Sequence, residues 1–439
     1  MSSIVIEDVT EMEDIISQAR IKLKLDSTTP TSKVFSEGFE IVLQEITFGI
    51  GTKNPEQAQN MRLSVLNDID LTATNEKTYQ LAHRVGAAYL MHGEIKKAET
   101  VLTQALGGIT KIHGELHPEV LKVCVTLGTV YERSGAYKKA IALASRVLKA
   151  MEEQLGSTHR DTINSVTNVA GLLQHVGDVK QAEDMYQRAK TGFEDICKEN
   201  DIAPDDDLDY VTCLGNFAIL LEKKSNDETN QTVALSYYKR ALRGKEKILG
   251  ETNADTLRSL SNLAMLLEGQ GALAEAEEMF TKCLTHRIAT LGINHVETLS
   301  SKSAVAGCML KTKRNEQACV LYKEVVQGYA KSTSQHSPMA LQAAADLAYA
   351  LMSSDQMEEA LELYKQVSGL RLATLGASHP MTLKSFFDTG LLLFQVDQNE
   401  ESIKMLKAAE SGYITAKMKK DAIRCQGLIQ HIETSMKEA

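Results

Sequence analysis

His113 and His117 are four residues apart, a spacing that could suggest a metal site. Two imidazoles one helical turn apart share a helix face and can bind zinc. Gly114 and Pro118, however, would break a helix at this point. Histidine also recurs at the matching place further along the chain, at His159, His295 and His379. Since that recurrence indicates a linker position, we predict no metal site.

Motifs for nucleophilic or phosphate chemistry are missing from the sequence. It contains no H-E-x-x-H, no G-x-S-x-G and no glycine-rich loop followed by Lys-Ser/Thr. The seven cysteines form no C-x-x-C pair, and Cys308 and Cys319 occupy small-residue positions on different predicted helices. Such cysteines more often pack in a core than react. We therefore predict a non-enzymatic protein without a cofactor.

Charge and composition exclude several classes of partner. Among 439 residues, 48 are basic and 58 acidic, a formal net charge of −10. Because nucleic-acid binding needs a strong basic surface, we expect no nucleic-acid partner. No apolar run approaches the roughly 18 residues of a membrane span, so we expect no membrane insertion. The unpaired cysteines and the absence of a signal or transit pattern favour a cytoplasmic protein, with cytoskeletal association left open.

The residues that could bind a partner must be placed by a repeat. Ala98, Ala140 and Ala182 are 42 residues apart, and after one interval of 52 the series resumes at the same period. We call this position the Ala slot; its later members are Ala234, Ala276, Ala318, Ala360 and Ser402. Five of the eight copies carry an aromatic residue four positions later, and the first two are among those that do not. The spacing predicts eight 42-residue repeats.

Two further landmarks give each repeat its helices. A glycine five residues before the Ala slot, as at Gly135 and Gly177, marks a tight turn. A second glycine 16 residues after it, as at Gly156, suits a left-handed residue past a helix end. Prolines just beyond, such as Pro118, suit the first position of the next helix. Because apolar residues recur at three and four between these points, each repeat is predicted to be two amphipathic helices, A and B.

A small residue in helix A, followed by Ala-x3-aromatic-x2-Ala in helix B, resembles the tetratricopeptide repeat. The 42-residue unit, its Leu-Gly-x2-His-Pro linkers and its Asn-Leu-Ala motif resemble the kinesin light chain branch of that family. The motif is present at Asn168-Val169-Ala170, Asn216-Phe217-Ala218 and Asn262-Leu263-Ala264. The resemblance implies an all-α fold, an α-solenoid in a right-handed superhelix of about eight helix-turn-helix repeats. We expect over 70% helix and seventeen or more helices.

The repeats are expected to cover 77–413, with an insertion near 198–231. We predict a short helix or flexible segment at 1–32 and a degenerate helical hairpin at 33–76. A capping helix is predicted at 414–439, with Ile423, Leu428 and Ile432 facing inward. The insertion is either a tolerated surface loop or an acidic recognition loop.

The resemblance implies that side chains from the A helices line a groove. The candidate partner-binding residues are Arg84, Lys122, Asn164, Asn168, Asn216, Arg258 and Asn262. In the resembling family the asparagines of the motif contact a bound peptide, and an amide can both donate to and accept from a peptide backbone. Arginine and lysine would favour carboxylates. A solvated inner face, with each asparagine bonded within its own repeat, remains the alternative.

Three functions are consistent with this pattern. The first is a scaffold or adaptor that binds an extended, partly acidic segment of a partner protein in the groove. The second is a permanent structural subunit of a large assembly. The third is a kinesin light chain proper, which the resemblance links to a long N-terminal heptad segment. Here the heptad pattern, from Val9 to Leu23, lasts only about two heptads.

Overall fold

We analysed a computed structural model of the chain, which describes residues 71–224, 227–332 and 337–438, together with Lys22 and a few residues between 63 and 69. The segment predicted at 1–32 and most of the hairpin predicted at 33–76 lie outside the described residues. The chain divides into two compact units, Met1–Ser225 and Asn226–Ala439. We describe each unit separately.

The first unit contains α-helices joined by short turns and linkers. In its described part they are α1 Glu76–Met91, α2 Ile95–His113, α3 Pro118–Arg133, α4 Tyr137–Leu155, α5 Arg160–Val176, α6 Val179–Glu199 and α7 Leu208–Lys224. A short 3-10 turn, Pro204–Asp206, precedes α7.

The second unit continues the same alternation. Its described helices are α8 Glu228–Leu249, α9 Ala254–Gly269, α10 Leu273–Leu291, α11 Val296–Lys311, α12 Asn315–Ser332, α13 Pro338–Ser353, α14 Met357–Leu375, α15 Pro380–Gln395, α16 Asn399–Thr415 and α17 Lys419–Glu438. Within each unit every helix packs against the next. The described ranges contain seventeen α-helices and no strand. These observations confirm the prediction of an all-α solenoid.

The Ala slot lies where the two helices of a repeat cross. Each of its alanines, and Ser402 in the last repeat, is 0% exposed. The Ser402 hydroxyl donates a hydrogen bond of 2.7 Å to the backbone carbonyl of Gly390 on the paired helix. A side chain at this position therefore touches the backbone of its neighbour, which explains why only small residues occupy it.

The turn between the two helices of a repeat uses a left-handed backbone. Gly93, Gly135, Gly177 and Gly271 have φ between 74° and 82°. In the last three repeats the same place is held by Lys313, Asp355 and Asp397, with φ between 59° and 62°. The turn geometry therefore continues where the glycine does not, and residues with a Cβ adopt the left-handed region there.

The glycine that ends the B helices has a different backbone from the one predicted. Gly114, Gly156, Gly250, Gly292 and Gly376 have φ of 84–91° but ψ of 161–171°. This is an extended backbone of positive φ, a region essentially restricted to glycine, rather than the left-handed helical region. The prediction of a left-handed residue was correct in φ and wrong in ψ, because the chain leaves the helix extended toward the linker.

The linker ends in a capped helix start. Pro118, Pro338 and Pro380 occupy the first turn of their helices, as predicted. The recurrent histidines are N-caps: the backbone N–H two residues ahead donates to Nδ1 at 3.2–3.3 Å in each, at His117, His159, His295 and His379. This role explains why histidine recurs in the linker.

Helix α17 buries a different face from the one predicted. Ile432 is buried as expected, but Ile423 is 67% exposed. The buried face consists of Ala422, Cys425 and Ile429 together with Ile432, which follow 3-4 spacing. The prediction for Ile423 was wrong because it followed the large aliphatic residues, whereas the small residues Ala422 and Cys425 face α16.

Candidate partner-binding groove

The A helices α3, α5 and α7 line an open groove of about 580 Å³ in the first unit. Residues of α4 and α6 complete it. Asn168 and Asn216, from the same position of neighbouring repeats, both face this groove. Of the seven candidate residues, these two are the ones that the structure brings together at its wall.

Both asparagines are available for an external contact. Asn168 is exposed and Asn216 half-buried, and among the described residues no hydrogen bond engages either amide. A primary amide has two donor hydrogens and a carbonyl oxygen with two lone pairs. The amides can therefore pair with the N–H and C=O groups of an extended chain laid along the groove.

Asn164 lies one turn earlier on α5 and has a partner within the chain. Its Nδ2 donates to Oδ2 of Asp209 at 3.4 Å. The same carboxylate accepts a 2.6 Å hydrogen bond from Nη1 of Arg160, and Nη2 of Arg160 binds Asp207 at 2.6 Å. Asp207 and Asp209 lie in the range predicted for the insertion, just before and at the start of α7, so Asn164 connects two repeats rather than facing the groove.

Asp207 is nearly buried, at 7% exposure, and also caps α7 by accepting from the backbone N–H of Tyr210 at 2.9 Å. Burial acts to raise the pKa of this carboxyl, but the hydrogen bonds from Arg160 and the backbone outweigh it and hold the pKa below its ordinary value. The insertion is thus anchored to the preceding repeat by a charged pair.

The candidate cations lie outside the groove wall. Lys122 on α3 forms a 2.6 Å ion pair with Glu119, whose pKa is lowered chiefly by this hydrogen bond. Arg84 is exposed on α1. In the second unit Arg258 pairs with Asp255 on α9, and the half-buried Asn262 lies one turn further along this helix. Both pairs join residues three apart, so a partner's carboxylate would have to compete with them.

Sequence reasoning missed several residues of the groove. His175 and Lys223 extend the stripes that contain Asn168 and Asn216 by two helical turns, so the 3-4 spacing could have identified them. The His175 ring stacks on Tyr137, with 4.8 Å between centroids. Ala144, in helix α4, also lines the groove. In the sequence this position differs from most repeats, because Ala144 stands where they have an aromatic residue.

The histidines and cysteines considered as metal-binding or reactive residues have structural roles in the described part of the chain. The rings of His113 and His117 stack 4.2 Å apart, and Nε2 of His113 lies 3.0 Å from Glu76. Within the described ranges no three His, Cys, Asp or Glu side chains form a metal-binding group. All seven cysteines are buried free thiols. None of the described helices is long and apolar enough to cross a membrane.

Comparison with known proteins identifies the repeat. One family model of the tetratricopeptide repeat matches residues 77–153, 119–195 and 232–289, and a second model of the same repeat matches residues 340–380. The chain is 24% identical over 179 residues to Protein KINESIN LIGHT CHAIN-RELATED 3 of Arabidopsis thaliana, a match that covers 40% of this chain and 27% of that protein. The chain therefore spans about a quarter of this relative.

Two solved structures share the fold. The tetratricopeptide repeat sensor protein of the STAND ATPase class from Pyrococcus horikoshii is 14% identical, with a TM-score of 0.54 over 94% of this chain and 65% of that one. The apo quorum sensor NprR from B. thuringiensis is 15% identical, with a TM-score of 0.51 over 86% of this chain and 99% of that one. The matched ranges show that the chain contains tetratricopeptide repeats, and part of it is similar to a kinesin-light-chain-related protein.

Proposed function

We propose that this chain is a non-enzymatic scaffold or adaptor that binds an extended segment of a partner protein in the groove of its first unit. Tetratricopeptide-repeat solenoids are typical protein-interaction scaffolds. One observation carries the proposal: Asn168 and Asn216 line the same groove, and no described residue engages either amide. An amide at a groove wall without a partner in the chain can pair with the peptide groups of a ligand.

The geometry favours an extended segment over a helix. Packed helices lie about 8–10 Å apart, and an extended chain rises about 3.3 Å per residue. Amides on neighbouring A helices would therefore contact peptide groups about three residues apart. A helical ligand satisfies its own backbone groups and would leave these amides unpaired.

Charge adds a preference for a partly acidic segment. Arg84 and Lys122 in the first unit, and Arg258 beside Asn262 in the second, are the cations that would meet carboxylates. Lys122 and Arg258 already pair with a neighbouring carboxylate. Exchanging one exposed ion pair for another contributes little, about 0.2–1 kcal/mol. The amides should therefore provide most of the affinity, and the cations mainly the preference for acidic sequences.

The test uses peptides selected from a random phage-displayed library on the full chain, then synthesised and measured by fluorescence anisotropy. Asn168→Ala and Asn216→Ala are expected to weaken binding about 5- to 150-fold, since a peptide group left unpaired costs about 1–3 kcal/mol. Gln187→Ala is the matched control, because this amide is exposed on α6 outside the groove. Equal losses in the control and the groove variants, with all three folded, would exclude the groove.

A second candidate function, a fixed subunit of a large assembly, is favoured by a different surface. Ile288, Leu372 and Ile414 occupy the same position of three B helices in the second unit and are 39%, 42% and 62% exposed. A permanent partner that covers this face would remove apolar surface from water. Charged substitutions at Leu372 and Ile414 would then dissociate the native complex on gel filtration, whereas the groove variants would leave it intact.

We also propose a cytoplasmic location. Seven free, buried thiols suit a reducing compartment, where disulfides do not form. Fluorescent tagging of the chain in its own cells would test this location.

A further inference from the structure

Lys245 in helix α8 is nearly buried and has no polar partner for its amine. The residue is 8% exposed, and within the ranges that the structure describes no hydrogen bond or ion pair engages its Nζ. Its backbone carbonyl accepts from Oγ1 of Thr256 at 3.4 Å, so the residue lies against the first turn of α9. A buried ammonium without a partner loses its hydration and gains nothing in return. The surroundings of Lys245 therefore disfavour its charged form.

Two other repeats have a cation at the same position and provide it with partners. Arg287 and Arg371 lie one and three repeats further along the chain. Arg287 donates to Oγ of Ser301 at 2.6 Å, and Arg371 donates to Oγ of Ser385 at 2.7 Å. In both repeats a planar guanidinium reaches the next A helix, whereas an ammonium has no such fork. The lysine is thus the member of this series that is left without a partner.

The groups nearest to Lys245 on α9 are a hydroxyl and a second cation. Ser259, the counterpart of Ser301 and Ser385, is 7% exposed. Among the described residues, Arg258 is the charged side chain whose field reaches Lys245, and it has the same sign. Burial, and after it this like charge, lowers the pKa of Lys245 below its ordinary value. The uncharged, nucleophilic amine is therefore more abundant here than at an exposed lysine.

We propose that Lys245 binds carbon dioxide covalently as a carbamate. The lone pair of the uncharged Nζ forms a bond to the carbon of CO2, and the electron pair of one C=O π bond moves onto oxygen. The nitrogen then releases one proton to solvent. The product is a carbamate anion, R–NH–COO−, together with one H+, and no oxidant or reductant takes part. This inference does not depend on the proposed function.

The surroundings that disfavour the ammonium favour the carbamate. The repulsion between Lys245 and Arg258 becomes an attraction once residue 245 carries a negative charge. Arg258 pairs with Asp255, but a guanidinium has several N–H donors and keeps some of them for a second oxyanion. The hydroxyl of Ser259 can donate to a carbamate oxygen. The N-terminal end of α9 also favours an anion over a cation.

Access to the amine suits a small, uncharged reactant. The residue exposes 8% of its surface, and CO2 enters such a site without losing the hydration of a charge. Lys302 provides the matched contrast within the same unit. It is 5% exposed, but its Nζ binds Oε2 of Glu324 at 2.7 Å. Because this ion pair keeps the Lys302 amine charged, we expect no carbamate there.

The test equilibrates the full chain with 13C-labelled bicarbonate and CO2 at neutral pH. Triethyloxonium converts any carbamate to a stable ethyl ester, which peptide mass spectrometry then locates, and 13C NMR follows the carbamate carbon. The wild type should carry the label at Lys245 and neither at Lys302 nor at Lys247, an exposed lysine of the same helix. Lys245→Arg keeps a cation but removes the amine and should lose the signal, whereas Lys302→Arg should retain it.

A further variant tests the role of the neighbouring cation. Arg258→Gln removes both the like charge that favours the uncharged amine and the guanidinium that attracts the carbamate. The occupancy of the carbamate at Lys245 should therefore fall about fivefold or more. Arg243→Gln, at an exposed position of α8, should leave the occupancy unchanged.

Several results would overturn the inference. One is a label at Lys302 or Lys247 equal to that at Lys245, and another is a 13C signal that survives in Lys245→Arg. Equal occupancy in Arg258→Gln and in the wild type would also overturn it, because the site would then not depend on its charges. The peptide map of the wild type needs no substitution, so it decides the question even where a variant does not fold.

Discussion

Replacing Lys313 with glycine is expected to stabilise the protein. Lys313 has φ of 61° in the turn where the first repeats have glycine, and its side chain is exposed. Among the described residues this side chain forms no ion pair or hydrogen bond, so its removal costs no polar contact, and the backbone N–H of residue 313 keeps its 3.0 Å bond to the Leu310 carbonyl. The backbone of the turn stays the same, since Gly271 adopts φ of 82° at the same position.

The size of the effect follows from two opposing terms. A residue with a Cβ in the left-handed region costs roughly 1–2 kcal/mol, which glycine avoids. Glycine loses more backbone entropy on folding, about 0.5–1 kcal/mol relative to alanine. The net gain is about 0.5–1 kcal/mol. Asp355 and Asp397, with φ of 62° and 59°, should gain somewhat less, because aspartate tolerates this region better than lysine does.

The assay is unfolding by urea, followed by circular dichroism at the helix band. Because the three turns belong to different repeats, their individual effects should add. The combined Lys313→Gly, Asp355→Gly and Asp397→Gly variant should therefore gain about 1–3 kcal/mol in the free energy of unfolding. The reverse change, Gly271→Lys, should lose about 0.5–1 kcal/mol by the same two terms. An unchanged or lower midpoint for the combined variant, with Gly271→Lys also unchanged, would refute the reasoning about these turns.

Three further predictions concern packing, charge and pH. Ala182→Leu should lower the free energy of unfolding by roughly 1–3 kcal/mol, since the helix crossing has no room for three more carbons; an unchanged melting curve would contradict the register. Arg160→Ala should cost about 1–3 kcal/mol in urea unfolding by leaving the Asp207 carboxylate without its guanidinium, whereas Lys149→Ala, on the exposed face of α4, should cost under about 0.5 kcal/mol. Because the folded pKa of Asp207 lies below the ordinary value of about 3.9, its ionised form stabilises the fold above that pH. The stability difference between the wild type and Asp207→Asn should therefore be greatest near neutral pH and shrink as the pH falls below about 4; a difference that grows on acidification would contradict this sign.

The helix pairs could be predicted from the sequence because helix packing restricts the same position in every repeat. A residue at the crossing of two helices must be small in every copy, so the Ala slot recurs and gives the register. The last three turns could not be identified as left-handed, since lysine and aspartate carry no signature of that backbone. Helix α17 shows a related limit, because its buried face is marked by Ala422 and Cys425 as well as by Ile429 and Ile432.

The site was predictable only in part. Asn168 and Asn216 were identified because the motif repeats, and they do face one groove. The contact of Asn164 with Asp209, 45 residues away, depends on how the insertion folds back and leaves no periodic signal. The absence of an aromatic residue at Ala144 was visible in the sequence. That Ala144 lines the same groove as the asparagines depends on the packing of three helices and could not be predicted from spacing.

The glycines that end the B helices also fix the length of those helices. At the matching position of the third repeat stands Lys198, and there α6 continues to Glu199 before the additional residues that lead to α7. The glycines at this position in the other described repeats have a backbone conformation that residues with a Cβ hardly adopt. The B helices of those repeats therefore end after a constant number of residues. In the repeats with the glycine the B helix thus ends after a fixed number of residues, whereas the third repeat has Lys198 there and carries the insertion; the sixth repeat has Ser334 at this position in the sequence and keeps the 42-residue spacing. Introducing glycine at Lys198 would restore the stop signal, and the chain beyond it would have to find a new path to Asp207.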